Sequence, residues 1–256
     1  KGNTLPYLEA VNISFITDKQ SEFMEFMLGN IDFISGINAQ YKDALLTRSG
    51  ELKKEHTERI TLQTSPYLNT EYLGFNLDST TGKVVPKAIR EALNHCFDRT
   101  EMIRYLRNNM GYPAYQGIVP PALTNNYPSQ LQGYTTDIKK AKTILKSAGY
   151  ENGYPHTIDL LTTSDYVDLC EYIQHKASKI GIKININLGT GASFRNIISK
   201  GETQFFRASW IADYPDPENY LSLFYSKNKS PNGPNYTRFT NTQFDNLYEK
   251  TLVGMG

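Results

Sequence analysis

The sequence predicts an α/β fold in which some of the strands run parallel. Its 256 residues suit one large domain or two modest ones, and 39% of them are hydrophobic, enough for a core without disulfides or a structural metal. Segments rich in β-forming residues alternate with segments whose apolar residues recur at helical spacing. Two such β-α-β successions, one near the start and one after residue 156, are typical of an α/β domain.

The first succession occupies residues 8–34. Asp18 is a suitable N-cap, and Gly29 is a suitable C-terminal stop for the helix between them. The elements predicted here are a strand over residues 8–16, a helix over 18–27, a strand over 31–34 and a helix over 40–48.

The middle of the chain predicts two strands followed by two helices. Pro86 stands at a first-turn position of a long helix, and Ile89, Leu93 and Cys96 follow at helical spacing. Residues 111–128 are rich in Pro, Gly, Tyr and Asn and are predicted to form a structured loop. The predicted elements are strands over residues 59–66 and 71–77, a helix over 86–108, and a helix that begins at Asp137 and stops at Gly149.

The second succession is the more regular one. Its predicted elements are a strand over residues 157–162, a helix over 166–180 that stops at Gly181, and a strand over 182–188. A short helix over 194–199 follows, and a strand over 205–210 continues directly into the segment A-D-Y-P-D-P.

Charge and cysteine content exclude several classes. The 27 Lys and Arg against 26 Asp and Glu leave a net charge of +1, so there is no electrostatic reason to expect nucleic acid or an anionic membrane as a partner. Cys96 and Cys170 have no metal-ligand spacing. The chain starts at Lys1 without an initiator Met and stops in a helical pattern, so we expect a piece of a longer protein.

Catalytic motifs are missing from the sequence. Asp213, Asp216 and Glu218 lie within six positions of one another, whereas a glycosidase needs two carboxylates that face the substrate from opposite sides. There is no H-E-x-x-H, G-x-S-x-G or phosphate-binding loop motif. We therefore expect a protein that is not an enzyme and that holds no metal or cofactor. The scattered histidines are His56, His95, His156 and His175.

Six segments in order carry a family resemblance. They are Y-L-G-F-N-L (72–77), V-V-P-K-A-I-R-E-A-L-N-H-C-F-D-R (84–99), Y-P-A-Y-Q-G-I-V-P-P-A (112–122), D-I-K-K-A-K-T-I-L-K-S-A-G-Y (137–150), I-G-I-K-I-N-I (180–186) and W-I-A-D-Y-P-D-P-E (210–218). This succession resembles the solute-binding proteins of family 5, the oligopeptide- and dipeptide-binding components of bacterial ABC importers. The resemblance spans roughly residues 8–250.

The resemblance implies a periplasmic-binding-protein-like fold (type II, cluster C), with two lobes that close over a ligand and a mixed sheet flanked by helices in each lobe. Residues 1–60, which contain the G-N-I-D passage, correspond to the β-α-β end of the first lobe leading to the crossover. Residues 61–256 correspond to the second, C-terminal ligand-binding lobe, truncated at its end.

The implied function is that of an extracytoplasmic solute-binding component of an ABC importer. Its partners would be a peptide ligand and the permease subunits, without nucleic acid, and the protein would be monomeric. It would work in the periplasm or on the outer face of the cytoplasmic membrane, lipid-anchored in one arrangement. The alternatives are the same fold binding an oligosaccharide, a nickel complex or another solute, and an envelope sensor or scaffold without a transport role.

The resemblance also implies which residues bind the ligand. In peptide-binding members the aspartate of the W-x-x-D segment, here Asp213, pairs with the ligand ammonium, because an unpaired charge is costly to bury. Asp213 could instead open an ordinary turn before Pro215. Trp210 could line a pocket or be a core residue, and Ala212 belongs to the same segment.

Four further residues complete the candidates. Arg207 matches an arginine that in some members meets the ligand carboxylate, and its alternative is a surface salt bridge. Tyr214, Asn219 and Tyr220 are additional pocket candidates, although Asn219 could simply stabilise a helix start. Residues 112–121 could form a second wall, and the strand before Trp210 could pair with an extended peptide.

Overall fold

A four-stranded mixed sheet organises the chain in the computed structural model, which describes residues 7–82, 84–124, 131 and 133–253. The strands are β1 (Asn69–Phe75), β2 (Thr157–Thr162), β3 (Lys183–Leu188) and β4 (Phe205–Ile211). The α-helices are α1 (Lys19–Leu28), α2 (Lys42–Leu45), α3 (Lys87–Cys96), α4 (Arg99–Leu106), α5 (Ile138–Ser147), α6 (Val167–Ser178), α7 (Gly191–Lys200), α8 (Glu218–Leu221) and α9 (Thr242–Val253). Short 3-10 helices lie at Lys54–His56, Ser79–Thr81, Pro121–Leu123, Ser164–Tyr166, Ser222–Phe224 and Ser226–Asn228.

The strand order in the sheet is β1-β4-β2-β3. β1 runs antiparallel to β4 over its whole length, whereas β2 is parallel to both β3 and β4. The predicted mixed sheet flanked by helices is thereby confirmed. β2, α6 and β3 form the predicted β-α-β unit, and Gly181 adopts a positive φ of 81° just before β3. A side chain there would place its Cβ 2.8 Å from the Gly153 Cα.

Each face of the sheet has its own apolar cluster, because successive strand residues point to opposite sides. On one face Phe205 packs with buried residues of α3, α5 and α6, including Ile89 and Ile173. On the other face Phe206 and Ala208 pack with Ile198 of α7. The C-terminal end of β4 therefore emerges from a well-anchored strand.

Three of the predicted strands are wrong. Residues 8–16, 31–34 and 59–66 form no strand in the structure. The side chains of Val11, Ile13 and Phe15 are 73%, 71% and 93% exposed, and no strand of the described residues pairs with this segment. A strand needs a hydrogen-bonded neighbour, so β propensity alone does not form one.

The helix predicted over residues 86–108 is divided in two. Phe97 has an extended backbone, and the Asp98 carboxylate accepts a hydrogen bond of 2.9 Å from the Glu101 main-chain N–H, which starts α4 anew. Asp competes with the helix for main-chain donors and so favours a cap. The helix predicted over 40–48 shrinks to the four residues of α2.

The predicted loop over residues 111–128 is described as far as Thr124, and its remainder lies outside the described residues. Thr70 of β1 donates a hydrogen bond of 2.8 Å to the carbonyl of Ile118, which holds this loop beside the sheet. No helix in the described ranges is long and apolar enough to span a bilayer. The division of the chain at residue 60 stays a prediction.

Candidate functional site

Asp213 lies two residues beyond the end of β4, with an exposed side chain. No hydrogen bond or ion pair of its carboxylate is present among the described residues, while its main-chain N–H donates to Asn219 Oδ1 at 3.2 Å. A carboxylate that faces solvent without an internal cation is free to receive a cation from outside. The geometry is that of an accessible anionic group on an ordered turn.

Asn219 is the residue that orders this turn. Its side chain is only 4% exposed, and its Oδ1 accepts from both the Trp210 indole N–H, at 2.7 Å, and the Asp213 main-chain N–H. The half-buried Trp210 ring and the Asp213 turn are therefore fixed relative to each other by one amide oxygen. Among the predicted candidates, the structure brings Trp210, Asp213 and Asn219 together directly.

The flanking residues anchor the same turn to its surroundings. The main-chain N–H of Ala212 donates to the carbonyl of Leu68 at 2.9 Å, and the fully buried Tyr220 donates its phenol to the same carbonyl at 2.7 Å. Tyr220 thus supports the turn and presents no free surface to a ligand.

Tyr214 is 49% exposed and donates its phenol to Glu218, which also accepts the phenol of Tyr248 from α9. The hydrogen bond to Glu218 raises the pKa of Tyr214, because phenolate beside carboxylate is unfavourable. At Tyr248, burial is the larger cause of a raised pKa, followed by the same carboxylate. Both phenols stay protonated and tie the turn to α9.

Arg207 lies apart from this group. It is three residues before Trp210, so strand alternation places the two side chains on opposite faces of β4. Arg207 is 8% exposed and forms an ion pair with Glu71, its diagonal neighbour on β1. The Arg207 Cζ also lies 3.2 Å from the centroid of the Tyr166 ring. The salt bridge anticipated as an alternative exists, with its Arg207 end buried and its Glu71 end exposed.

A second guanidinium flanks the same aromatic ring. Arg107 lies 5.9 Å from the Tyr166 ring centroid and makes a two-pronged ion pair with Asp168, at 2.5 and 3.0 Å. Burial raises the pKa of the Tyr166 phenol, and the nearby Arg207 charge partly opposes this. The Tyr166 phenol is thereby kept neutral between two paired arginines.

A cavity of about 250 Å³ opens beside this arrangement. None of the seven candidate residues lines this cavity, but Tyr166 does, and its ring contacts Arg207. The lining residues are Lys19, Glu22, Ser35, Gly36, Ile37, Asn38, Ala39, Arg107, Asp165 and Tyr166.

The end of β4 carries an unpaired main-chain edge. β4 pairs with β2 only through Phe205 and Phe206, so residues 207–211 have a strand neighbour on the β1 side alone within the described chain. Such an edge can add an extended peptide as a further strand. It runs from Arg207 toward Asp213.

The sequence model of the family described as "Bacterial extracellular solute-binding proteins, family 5 Middle" matches residues 1–232 of this chain. The chain belongs to family 5 of the bacterial extracellular solute-binding proteins. This confirms the family inferred from the six sequence segments.

Curated relatives of this family 5 chain have different ligands in their names. The chain is 27% identical over 251 residues to heme-binding protein A of Haemophilus influenzae, covering 96% of the chain and 43% of the relative. It is 27% identical over 204 residues to the dipeptide-binding protein of Escherichia coli, covering 77% and 37%. The chain thus spans less than half the length of these two relatives.

Solved structures share the fold. A periplasmic binding protein, DppA of Helicobacter pylori in complex with the peptide STSA, superposes with a TM-score of 0.76 at 25% identity, over 92% of this chain and 44% of that one. The dipeptide-binding protein of a Pseudoalteromonas species in complex with Met-Leu gives 0.76 at 22% identity, over 94% and 46%. The type II periplasmic-binding-protein fold is confirmed.

Sequence reasoning missed Glu71, Tyr166 and Arg107. Glu71 sits in a segment used only as a strand marker, and Tyr166 was the expected first residue of a helix. The approach of these side chains to Arg207 depends on β1 and β2 flanking β4, which no local pattern contains. The strand order is the only signal that could have found them.

Proposed function

We propose that the full-length protein is an extracytoplasmic solute-binding component of an ABC importer that binds peptides. The carrying observation is the Asp213 carboxylate, exposed and without an internal cation, on a turn fixed by Asn219. A peptide ammonium would pair with Asp213, and the edge of residues 207–211 would hydrogen-bond the peptide backbone. Because such main-chain hydrogen bonds do not involve the peptide's side chains, they allow peptides of different sequence to bind.

The names of relatives support this ligand class. Two of the matched proteins are named for dipeptide binding, and two of the solved relatives hold the peptides STSA and Met-Leu. Other relatives are named for heme and glutathione, so family membership alone does not select the ligand. The free Asp213 carboxylate favours a ligand with an ammonium group, which heme lacks.

The proposed cycle is closure of two lobes, with residues 1–60 in the first and 61–256 in the second. The ligand bridges both lobes, closure expels water, and the permease subunits receive the closed form. The protein acts without catalysis, as a monomer, in the periplasm or on the outer face of the cytoplasmic membrane, with lipid anchoring as one arrangement. Two proposals compete with this one. In the first, the same fold binds an oligosaccharide, a nickel complex or another solute. In the second, the protein is a sensor or scaffold without a transport role.

Calorimetric titration of the full-length protein with tripeptides to pentapeptides, each free and N-acetylated, tests this function. We expect the free peptides to bind, and acetylation to weaken binding by about tenfold or more, since it removes the charge that pairs with Asp213. Binding of an oligosaccharide together with no binding of any peptide would exclude the proposal.

A further inference from the structure

Arg207 has one carboxylate partner in the described part of the chain, and that partner is Glu71. Arg207 Nη2 donates to Glu71 Oε2, whereas the buried Nε has no acceptor among the described residues. Glu71 itself also accepts from Asn69 Nδ2 at 2.8 Å and from the Tyr166 phenol at 3.4 Å. The pair is therefore held from both strands and from the start of α6.

The burial of Arg207 leaves Glu71 between its charge and the solvent. The Arg207 side chain is 10% exposed and the Glu71 side chain is 36% exposed, so Glu71 is the member that faces solvent. A second carboxylate that approached Arg207 would meet the charge of Glu71 and would have to displace it. Displacement would leave a carboxylate with fewer donors, which is unfavourable.

The basic residues that line the adjacent cavity are also paired. Arg107 is bound to Asp168, and Lys19 is 2.9 Å from Glu22. Asp165 lines the same cavity, and no cation lies within salt-bridge distance of it among the described residues. Every Lys and Arg of the described cavity wall thus already has a carboxylate from the chain.

From these contacts we propose that Glu71 is a specificity-determining residue that occupies Arg207 and makes the site indifferent to the terminal carboxylate of a ligand. The inference rests on the proposed peptide-binding function and narrows it. The ligands then need a free ammonium, and a free or amide-linked carboxyl end changes their affinity little.

The test compares the tightest-binding tripeptide of the titration above with its C-terminal amide. In the wild-type full-length protein we expect the two dissociation constants to agree within about threefold. In Glu71→Gln the freed Arg207 should favour the free acid by about tenfold, as expected for a charge-assisted hydrogen bond. Glu151→Gln is the matched control. Glu151 is also an exposed glutamate in an ion pair, with Lys146, but it lies before the N-terminal end of β2, away from Arg207.

The outcomes separate this inference from the proposed function. A wild-type preference of tenfold or more for the free acid would overturn the inference while supporting peptide binding. A well-folded Glu71→Gln protein that still does not distinguish the two ligands would also overturn it. Absence of binding by every peptide would remove the proposed function, and the inference with it.

Arg207→Gln covers the case in which Glu71→Gln does not fold, because it removes the buried charge of Arg207 instead of leaving that charge without its carboxylate partner. We expect it to leave the ratio of the two dissociation constants unchanged, since the ligand carboxylate does not use Arg207. A loss of about tenfold in affinity for the free acid alone would show that Arg207 binds it and would reject the inference.

Discussion

Asn219 is a buried side chain that orders the turn carrying Asp213. Its Oδ1 accepts from Trp210 and from the main chain at Asp213, and its 4% exposure leaves no surface for further contact. The sequence left open whether this residue lines a pocket or starts a helix. It stands in the first helical turn of α8 and positions the residues that were predicted to bind ligand.

We therefore expect Asn219→Ala to lower both stability and peptide affinity. The Trp210 indole N–H and the Asp213 N–H would lose their acceptor, at a cost of about 1–3 kcal/mol in the free energy of unfolding. Chemical denaturation and calorimetric titration measure the two effects. Asn187→Ala, which removes an exposed amide of β3, is the control, and equal stability of the two variants would contradict the positioning role.

At the scale of elements, the break between α3 and α4 is caused by local residues and is not visible in the apolar periodicity. Apolar spacing continues through residues 86–108, but Asp98 offers the main chain a better partner than the helix does at that point. The strand failures have the opposite cause. Residues 8–16 have the propensity for a strand, and the described sheet offers no neighbour for them.

Asp98→Ala should destabilise the protein by about 0.5–2 kcal/mol, the usual cost of losing an N-cap side chain. The free energy of unfolding from urea denaturation checks this value. Asp98→Asn retains a capping oxygen and should lose little. If the alanine and asparagine variants were equally stable, the Asp98 side chain would have no capping role.

Glu101 connects α4 to α6. Its carboxylate accepts a hydrogen bond of 2.7 Å from Lys176 and another of 2.6 Å from the Tyr172 phenol. Both hydrogen bonds stabilise the ionised form and so lower the pKa of this carboxyl. A lowered folded-state pKa contributes stability that is present above the ordinary glutamate pKa of about 4.5. That contribution disappears as the pH falls through the lower folded-state pKa.

The melting temperature of Glu101→Gln should therefore lie below that of the wild type at pH 6, and the gap should narrow as the pH falls below about 4.5. Tyr172→Phe removes one of the two donors and should show a smaller gap with the same pH dependence. Thermal unfolding followed by circular dichroism from pH 3 to 6 measures both. A gap that is constant with pH would show that this carboxyl does not couple α4 to α6 through its charge.

At the scale of the whole molecule, the sequence was informative about regular units and about the family. β2, α6, β3 and β4 lie within a residue or two of their predicted bounds. Gly181 separates α6 from β3, and the segment A-D-Y-P-D-P follows β4, so the local residues mark these ends. The W-x-x-D turn was also recognisable from local residues. The partners of Arg207 were not, because Glu71, Tyr166 and Arg207 meet only after three separate segments have been assembled.

The central claim is that the Asp213 carboxylate binds the ammonium of a peptide. It is tested most directly by titrating wild type, Asp213→Asn and the control Glu151→Gln with one tripeptide, free and N-acetylated. The account predicts that acetylation costs about tenfold or more in affinity in the wild type and the control, and has little effect in Asp213→Asn. An acetylation penalty of the same size in all three proteins would contradict it.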